Sequence, residues 1–144
     1  NVNVLINRPV LSAMGVEEKI LFVPNMGGTE KIEMEGLTVF KLAVKKMIAM
    51  LSQACESRGV TVDELDWIVP HQANLRIITR TAQKMGIGMD RVIVTVQDHG
   101  NTSAASIPLA LSIGVSDGKI KPGDLVVTEA IGGGLAWGAV VLRW

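Results

Sequence analysis

The chain has 144 residues, one Cys, two His and no net charge, since 14 Lys and Arg stand against 14 Asp and Glu. With 48% apolar residues it predicts one packed core, not a disordered chain. Balanced charge argues against a nucleic-acid partner, a lone Cys excludes an internal disulfide or a multi-cysteine zinc site, and no metal site is expected.

The amino end is the hardest part to read. Val2, Val4 and Ile6 alternate as in a strand, Ile20 to Val23 form a second short apolar run, and Pro24 to Gly28 read as a turn. From Thr38 the period becomes helical, with Phe40, Val44, Met47, Leu51 and Ala54 recurring up to Gly59. Thr61 and Glu64 stand at capping-box spacing, and Leu65 to Val69 predict a buried strand ending at Pro70. A second helix is expected from Gln72 or Ala73 to Met85, burying Leu75, Ile78, Ala82 and Met85 before Gly86. Arg91 to Val96 reads as a strand, Asp98 to Asn101 as a polar turn, and Ser103 to about Val115 as a third helix with Pro108 in its first turn. A loop over Lys119–Asp124 leads to strands at Leu125–Ala130 and Leu135–Leu142, joined by three glycines. Strands alternating with helices predict an α/β layer with a largely parallel sheet, closed by an antiparallel hairpin.

The run Ala130–Leu142, 13 residues without a charge, is short against the roughly 20 needed to span a bilayer. The amino end has no signal-peptide layout, so the expectation is a cytoplasmic chain with no membrane association. It opens on Asn1 and not on Met, which reads as a fragment or a processed chain.

In α/β sheets ligands collect beyond the carboxyl ends of strands, and both histidines fall there. Singly, His71, Asn74 or Asn101 at a helix start reads as a backbone cap, His99 beside Gly100 as a solvated turn residue, and Gly132 to Gly134 as a hairpin turn. In combination they resemble a known pattern. Asp66-Trp67-Ile68-Val69-Pro70-His71-Gln72-Ala73-Asn74, then His99-Gly100-Asn101-Thr102-Ser103-Ala104-Ala105-Ser106, then Gly132-Gly133-Gly134-Leu135-Ala136-Trp137-Gly138 closely resemble the carboxyl-terminal half of the β-ketoacyl-acyl-carrier-protein synthase III family. These are thiolase-like condensing enzymes that start bacterial fatty-acid synthesis. The resemblance runs from about Met34 to Trp144 as one half domain, with residues 1–33 poorly matched.

The resemblance implies an α/β fold of five layers, α-β-α-β-α, of which this is the C-terminal half, a mixed sheet with helices packed on it. It also implies a reaction: an acyl group from acyl-coenzyme A is loaded on a Cys, and malonyl-acyl-carrier protein is decarboxylated to a carbanion that attacks it. It assigns His71 and Asn101 as donors to the enolate oxygen and the Gly133 backbone N–H to an oxyanion hole. Asn74, Gly36 and Phe40 match positions lining the pantetheine tunnel, though helix capping, turn geometry and core packing remain open for them. Arg76, Arg80 and Lys84 form a basic stripe, read either as a solvated helix face or as a contact for the acidic acyl carrier protein, with Lys41 and Lys45 as extensions. No separate cofactor is implied. The expected partners are an N-terminal half, acyl carrier protein, acyl-coenzyme A and a second complete subunit in a homodimer.

The nucleophile is not among these residues. Cys55 sits near the end of an amphipathic helix with no Gly or His beside it, and reads as an inert buried thiol. Two readings follow. The chain is either the C-terminal part of a synthase whose Cys lies in another half, or a non-catalytic module that docks acyl carrier protein or a partner. So apolar a chain is expected to leave one sheet face open unless another half covers it.

Overall fold

The computed structural model describes residues 4–14, 21–22 and 33–144. Four short strands come first: β1 (Leu5–Ile6), β2 (Val10–Ala13), β3 (Leu21–Phe22) and β4 (Glu33–Met34). Val2 and the expected turn at Pro24–Gly28 lie outside the described residues. The helical stripe then becomes α1 (Gly36–Glu56), whose Ala43, Val44, Met47, Met50, Leu51, Ala54 and Cys55 recur at three- and four-residue steps and are all buried. After Gly59, at φ 64, the Glu64 carboxylate reaches back to accept from the Thr61 N–H at 2.6 Å and its hydroxyl at 2.9 Å.

Next come β5 (Trp67–Pro70) and α2 (Leu75–Lys84), which starts later than its periodicity predicts because Asn74 caps it, accepting from the Arg76 N–H at 2.8 Å. The buried stripe of α2 is Ile78, Thr81 and Ala82. Leu75, expected in the core, is 48% exposed, since the stripe turns away from the helix's first residue, and Met85 is only half-buried. The run expected as a strand at Arg91–Val96 only begins one. Val92 bridges Ile68 in parallel and the Ile93 N–H bonds the Ile68 carbonyl at 2.9 Å. The Gln72 carboxamide oxygen then takes the N–H groups of Thr95 and Val96, at 2.8 and 3.1 Å, where a strand neighbour would stand. The short helix α3 (Val96–His99) follows, in place of the expected polar turn, and after a 3₁₀ turn comes α4 (Ser106–Ser116), with Pro108 in its first turn.

β6 (Leu125–Gly132) and β7 (Ala136–Arg143) form the closing hairpin, in register from Leu125↔Arg143 to Gly132↔Ala136. β5 runs parallel to β6, from Trp67↔Val126 to Pro70↔Glu129, while β1 and β2 pair antiparallel with the far edge of β7. The sheet is therefore mixed, and among the described residues β5–β6 is its one parallel strand pair, not the largely parallel set that the alternation predicts. A parallel neighbour needs a crossover, whereas the tight β6–β7 turn and the edge strands β1 and β2 impose antiparallel pairing. Gly138 lets β2 lie close, because a Cβ there would meet Leu11 Cδ2 at 2.6 Å and the Val10 carbonyl at 3.3 Å.

Strand side chains alternate between two cores. Ile68, Val127, Ala139 and Val141 pack with α1 and α2, while Val69, Val126 and Leu142 pack with Ala110 of α4 and with Ile93 and Ile120. The sheet is covered at β5 and the starting half of β6, whereas Ala130, Gly132, Ala136, Gly138 and Val140 of the β6–β7 hairpin are only partly buried or exposed, so part of one sheet face is open, as composition suggests. Exposed apolar side chains also lie along β1, β2, β4 and the start of α1, as at Ile6, Leu11, Met34 and Leu37. Asp66 and Asp124, in and near the first motif's strand, anchor the strand starts: Asp66 accepts from the Leu125 N–H at 2.7 Å, and Asp124 from Trp67 Nε1 at 3.1 Å. Among the described residues no helix is long and apolar enough to cross a membrane.

Candidate active site

Beyond the carboxyl ends of β5 and β6 lies an open cleft of about 1450 Å³, larger than the usual closed ligand pocket of about 300–1,000 Å³. His71, Asn101, Gly133, Asn74, Gly36, Phe40 and Arg76 all line it. Arg80 and Lys84 do not; they are exposed further along α2.

His71 is the most firmly held of these. Its backbone N–H extends the β5–β6 pairing by bonding the Glu129 carbonyl at 2.7 Å, and its Nδ1 lies 2.6 Å from the Ser106 hydroxyl oxygen at the start of α4. The adjoining Gln72 is 1% exposed and saturated, donating to the Pro70 and Ile93 carbonyls at 2.8 and 3.1 Å while accepting from Thr95 and Val96. This side chain clips the end of β5 to the neighbouring segment and fixes where His71 leaves the sheet. Burial holds the His71 imidazole below its ordinary pKa, so the ring is neutral at physiological pH.

Asn101 is exposed and held only locally, its Oδ1 accepting from the Ser103 N–H at 3.2 Å. That bond engages the acceptor end of the carboxamide and leaves Nδ2 without a partner among the described residues. Ser103 itself has φ 50, a left-handed conformation uncommon for a residue with a Cβ, and it too lines the cleft. Gly133 sits in the turn beyond the last β6–β7 pair. Gly36 opens α1, where a Cβ would meet only Met34 Cε at 3.9 Å, so turn geometry does not demand a glycine there. Half-buried Phe40 is capped by the Arg76 guanidinium, 5.7 Å from the ring centroid, which ties α1 to α2 beside the cleft. Asn74 both caps α2 and lines the cleft, so its two readings are compatible.

Cys55 is 2% exposed, and burial first, with nearby carboxylates such as Glu129 second, pushes its thiol pKa up, the opposite of an activated nucleophile. His99 is exposed. Sequence reasoning passed over two residues. Ser106 appears in the second motif, but its contact with His71 joins positions 35 residues apart and leaves no local signal. Glu129, 2% exposed on β6, faces both the cleft and a small cavity that Thr81 also lines, and its Oε2 and the Thr81 hydroxyl have no hydrogen-bond partner among the described residues. Burial pushes its carboxyl up to about 8, so it is largely protonated at neutral pH. A lone acid inside the apolar run Leu125–Ile131 was the available clue.

The family model for the C-terminal domain of 3-oxoacyl-[acyl-carrier-protein (ACP)] synthase III matches residues 55–144, which contain all three motifs. The chain belongs to this family. It is 61% identical over 140 residues to the β-ketoacyl-[acyl-carrier-protein] synthase III of Dinoroseobacter shibae, covering 93% of this chain and 43% of that protein. To the protein of the same name from Cereibacter sphaeroides it is 64% identical over 118 residues, 82% of this chain and 36% of that one. The crystal structure of 3-oxoacyl-[acyl-carrier-protein] synthase III from Aquifex aeolicus superposes with a TM-score of 0.92 at 43% identity, covering 98% of this chain and 45% of that one. The fold is thus thiolase-like, and the chain spans less than half the length of the curated relatives it matches.

Proposed function

We propose that this chain is the C-terminal half of a condensing enzyme of fatty-acid synthesis initiation, working with an N-terminal half that supplies the nucleophilic Cys. The observation that supports this best is the meeting of His71 and Asn101 on one cleft, His71 anchored at Nδ1 by the Ser106 hydroxyl and Asn101 by its Oδ1, so that each can turn an N–H to the cleft. Loss of carbon dioxide from malonyl-acyl-carrier protein drives negative charge onto the thioester oxygen. Two neutral N–H donors stabilise that charge without having to give up a proton, and each such donor typically contributes about 3–4 kcal/mol in the transition state.

The remaining residues take roles around this pair. The Gly133 N–H lines the second oxyanion hole, for acyl transfer. Asn74, Gly36 and Phe40 border the pantetheine arm, and Arg76 at the cleft rim meets the acidic carrier protein, with Arg80 and Lys84 extending the basic stripe away from the cleft. Acyl-coenzyme A is the acyl donor, no separate cofactor takes part, and complete subunits form a homodimer in the cytoplasm. The cleft's width and the exposed apolar side chains of β1, β2 and α1 support a covering half.

Mixing the complete synthase with acyl-coenzyme A and malonyl-acyl-carrier protein tests this: a β-ketoacyl product is expected. Carrier protein bound without turnover would favour the docking module instead.

A further inference from the structure

We propose that Ser106 is a positioning residue that sets the tautomer of His71, keeping Nδ1 as an acceptor so that the proton resides on Nε2. The argument is a count of hydrogens at one buried oxygen. Ser106 is 2% exposed, and its Oγ accepts from the Gln72 backbone N–H at 3.3 Å while lying 2.6 Å from His71 Nδ1. The hydroxyl has a single hydrogen. If that hydrogen points to Nδ1, every polar group at the junction is satisfied. If Nδ1 carried the proton instead, it would donate to Oγ, and the hydroxyl hydrogen would be left buried with no acceptor among the described contacts, at a cost of about 1–3 kcal/mol. The neutral ring that burial favours has one N–H, so fixing Nδ1 as acceptor makes Nε2–H the donor available to the cleft that His71 lines. Ser106 is the first residue of α4, so the tautomer is tied to the docking of that helix against the end of β5.

The catalytic consequence deepens the donor role given to His71 above and rests on it; the tautomer itself does not. Long-range ¹⁵N–¹H spectra of the complete, histidine-labelled synthase read the tautomer directly, with the His71 signals assigned by their loss in His71→Gln. The expected result is an unprotonated Nδ1 and a protonated Nε2. In Ser106→Ala the ring should populate both tautomers, and kcat for carbon dioxide release should fall roughly tenfold or more with KM for the malonyl thioester unchanged. Ser106→Cys, which keeps a weaker donor, should fall between. A protonated Nδ1 in the unmodified synthase overturns the assignment whatever reaction the cleft performs. A Ser106→Ala rate equal to that of the unmodified protein overturns the catalytic consequence. An unchanged rate in His71→Ala, by contrast, counts against the donor role itself and leaves the spectrum to decide Ser106.

Discussion

The end of β5 and the segments bearing Asn101 and Gly133 deliver site residues to the same cleft, but they are built differently. His71 leaves a strand held by the Glu129 carbonyl, sits against Ser106, and adjoins Gln72, whose carboxamide makes four bonds. Asn101 is exposed and held by one local bond, and Gly133 lies beyond the last pair of its hairpin. One proposed donor is thus fixed within this chain, whereas the second proposed donor and the proposed oxyanion-hole glycine are held only locally. Preorganised donors cost no reorganisation when charge develops, so change on the well-held wall should cost stability as well as rate, and change on the open wall rate alone.

The sharpest way to break this contrast is on the open side. Asn101→Ala should lower turnover of the complete synthase by about a hundred- to a thousand-fold, while shifting unfolding free energy by less than about 0.5 kcal/mol, as for an exposed side chain. On the held side, Gln72→Ala should cost roughly 3 kcal/mol or more in denaturant unfolding, because it strands buried donors and acceptors around the His71 exit. If the two variants lost similar stability, the contrast would fail.

Glu129 sharpens the same comparison through pH. Its folded pKa, about 8, lies above the ordinary carboxylate value of 4.5, so the folded chain binds the proton more tightly than the unfolded one. The associated stability is complete below about pH 4.5 and is lost as pH rises toward 8, with a limiting slope of about 1.4 kcal/mol per pH unit. Glu129→Gln, neutral at every pH, should flatten that slope in melts between pH 5 and 8. An unchanged slope would mean the carboxyl is ionised in the fold. The smallest effect is expected at Cys55: its buried, poorly ionised thiol should resist iodoacetamide in the folded synthase at pH 8, and Cys55→Ala should leave turnover unaltered.

Much of this arrangement was legible beforehand. The apolar stripe of α1 and the β6–β7 hairpin follow from periodicity and turn residues, and seven residues singled out by the resemblance, four of them within the three motifs, line one cleft. The mixed sheet implied by the resemblance is the one found, but strand–helix alternation alone misjudged its direction, since it says nothing about short edge strands such as β1 and β2, which arrive before any helix. The strand expected at Arg91–Val96 was misread because β-branched residues signal extended backbone but not its partner, and here the partner is the Gln72 side chain. Leu75 and Thr81 exchange the burial their polarity suggests, because tertiary packing chooses the stripe. Ser106 needed the fold itself, as its meaning lies wholly in a contact made across the sheet's end.

The central claim is that His71 and Asn101 act as paired donors to a developing enolate. Carbon dioxide release from malonyl-acyl-carrier protein, measured on the complete synthase and on His71→Ala and Asn101→Ala, tests it without depending on acyl loading. Each variant should lose about a hundred- to a thousand-fold in rate while still binding the carrier protein; release at the unmodified rate in either one would contradict the account.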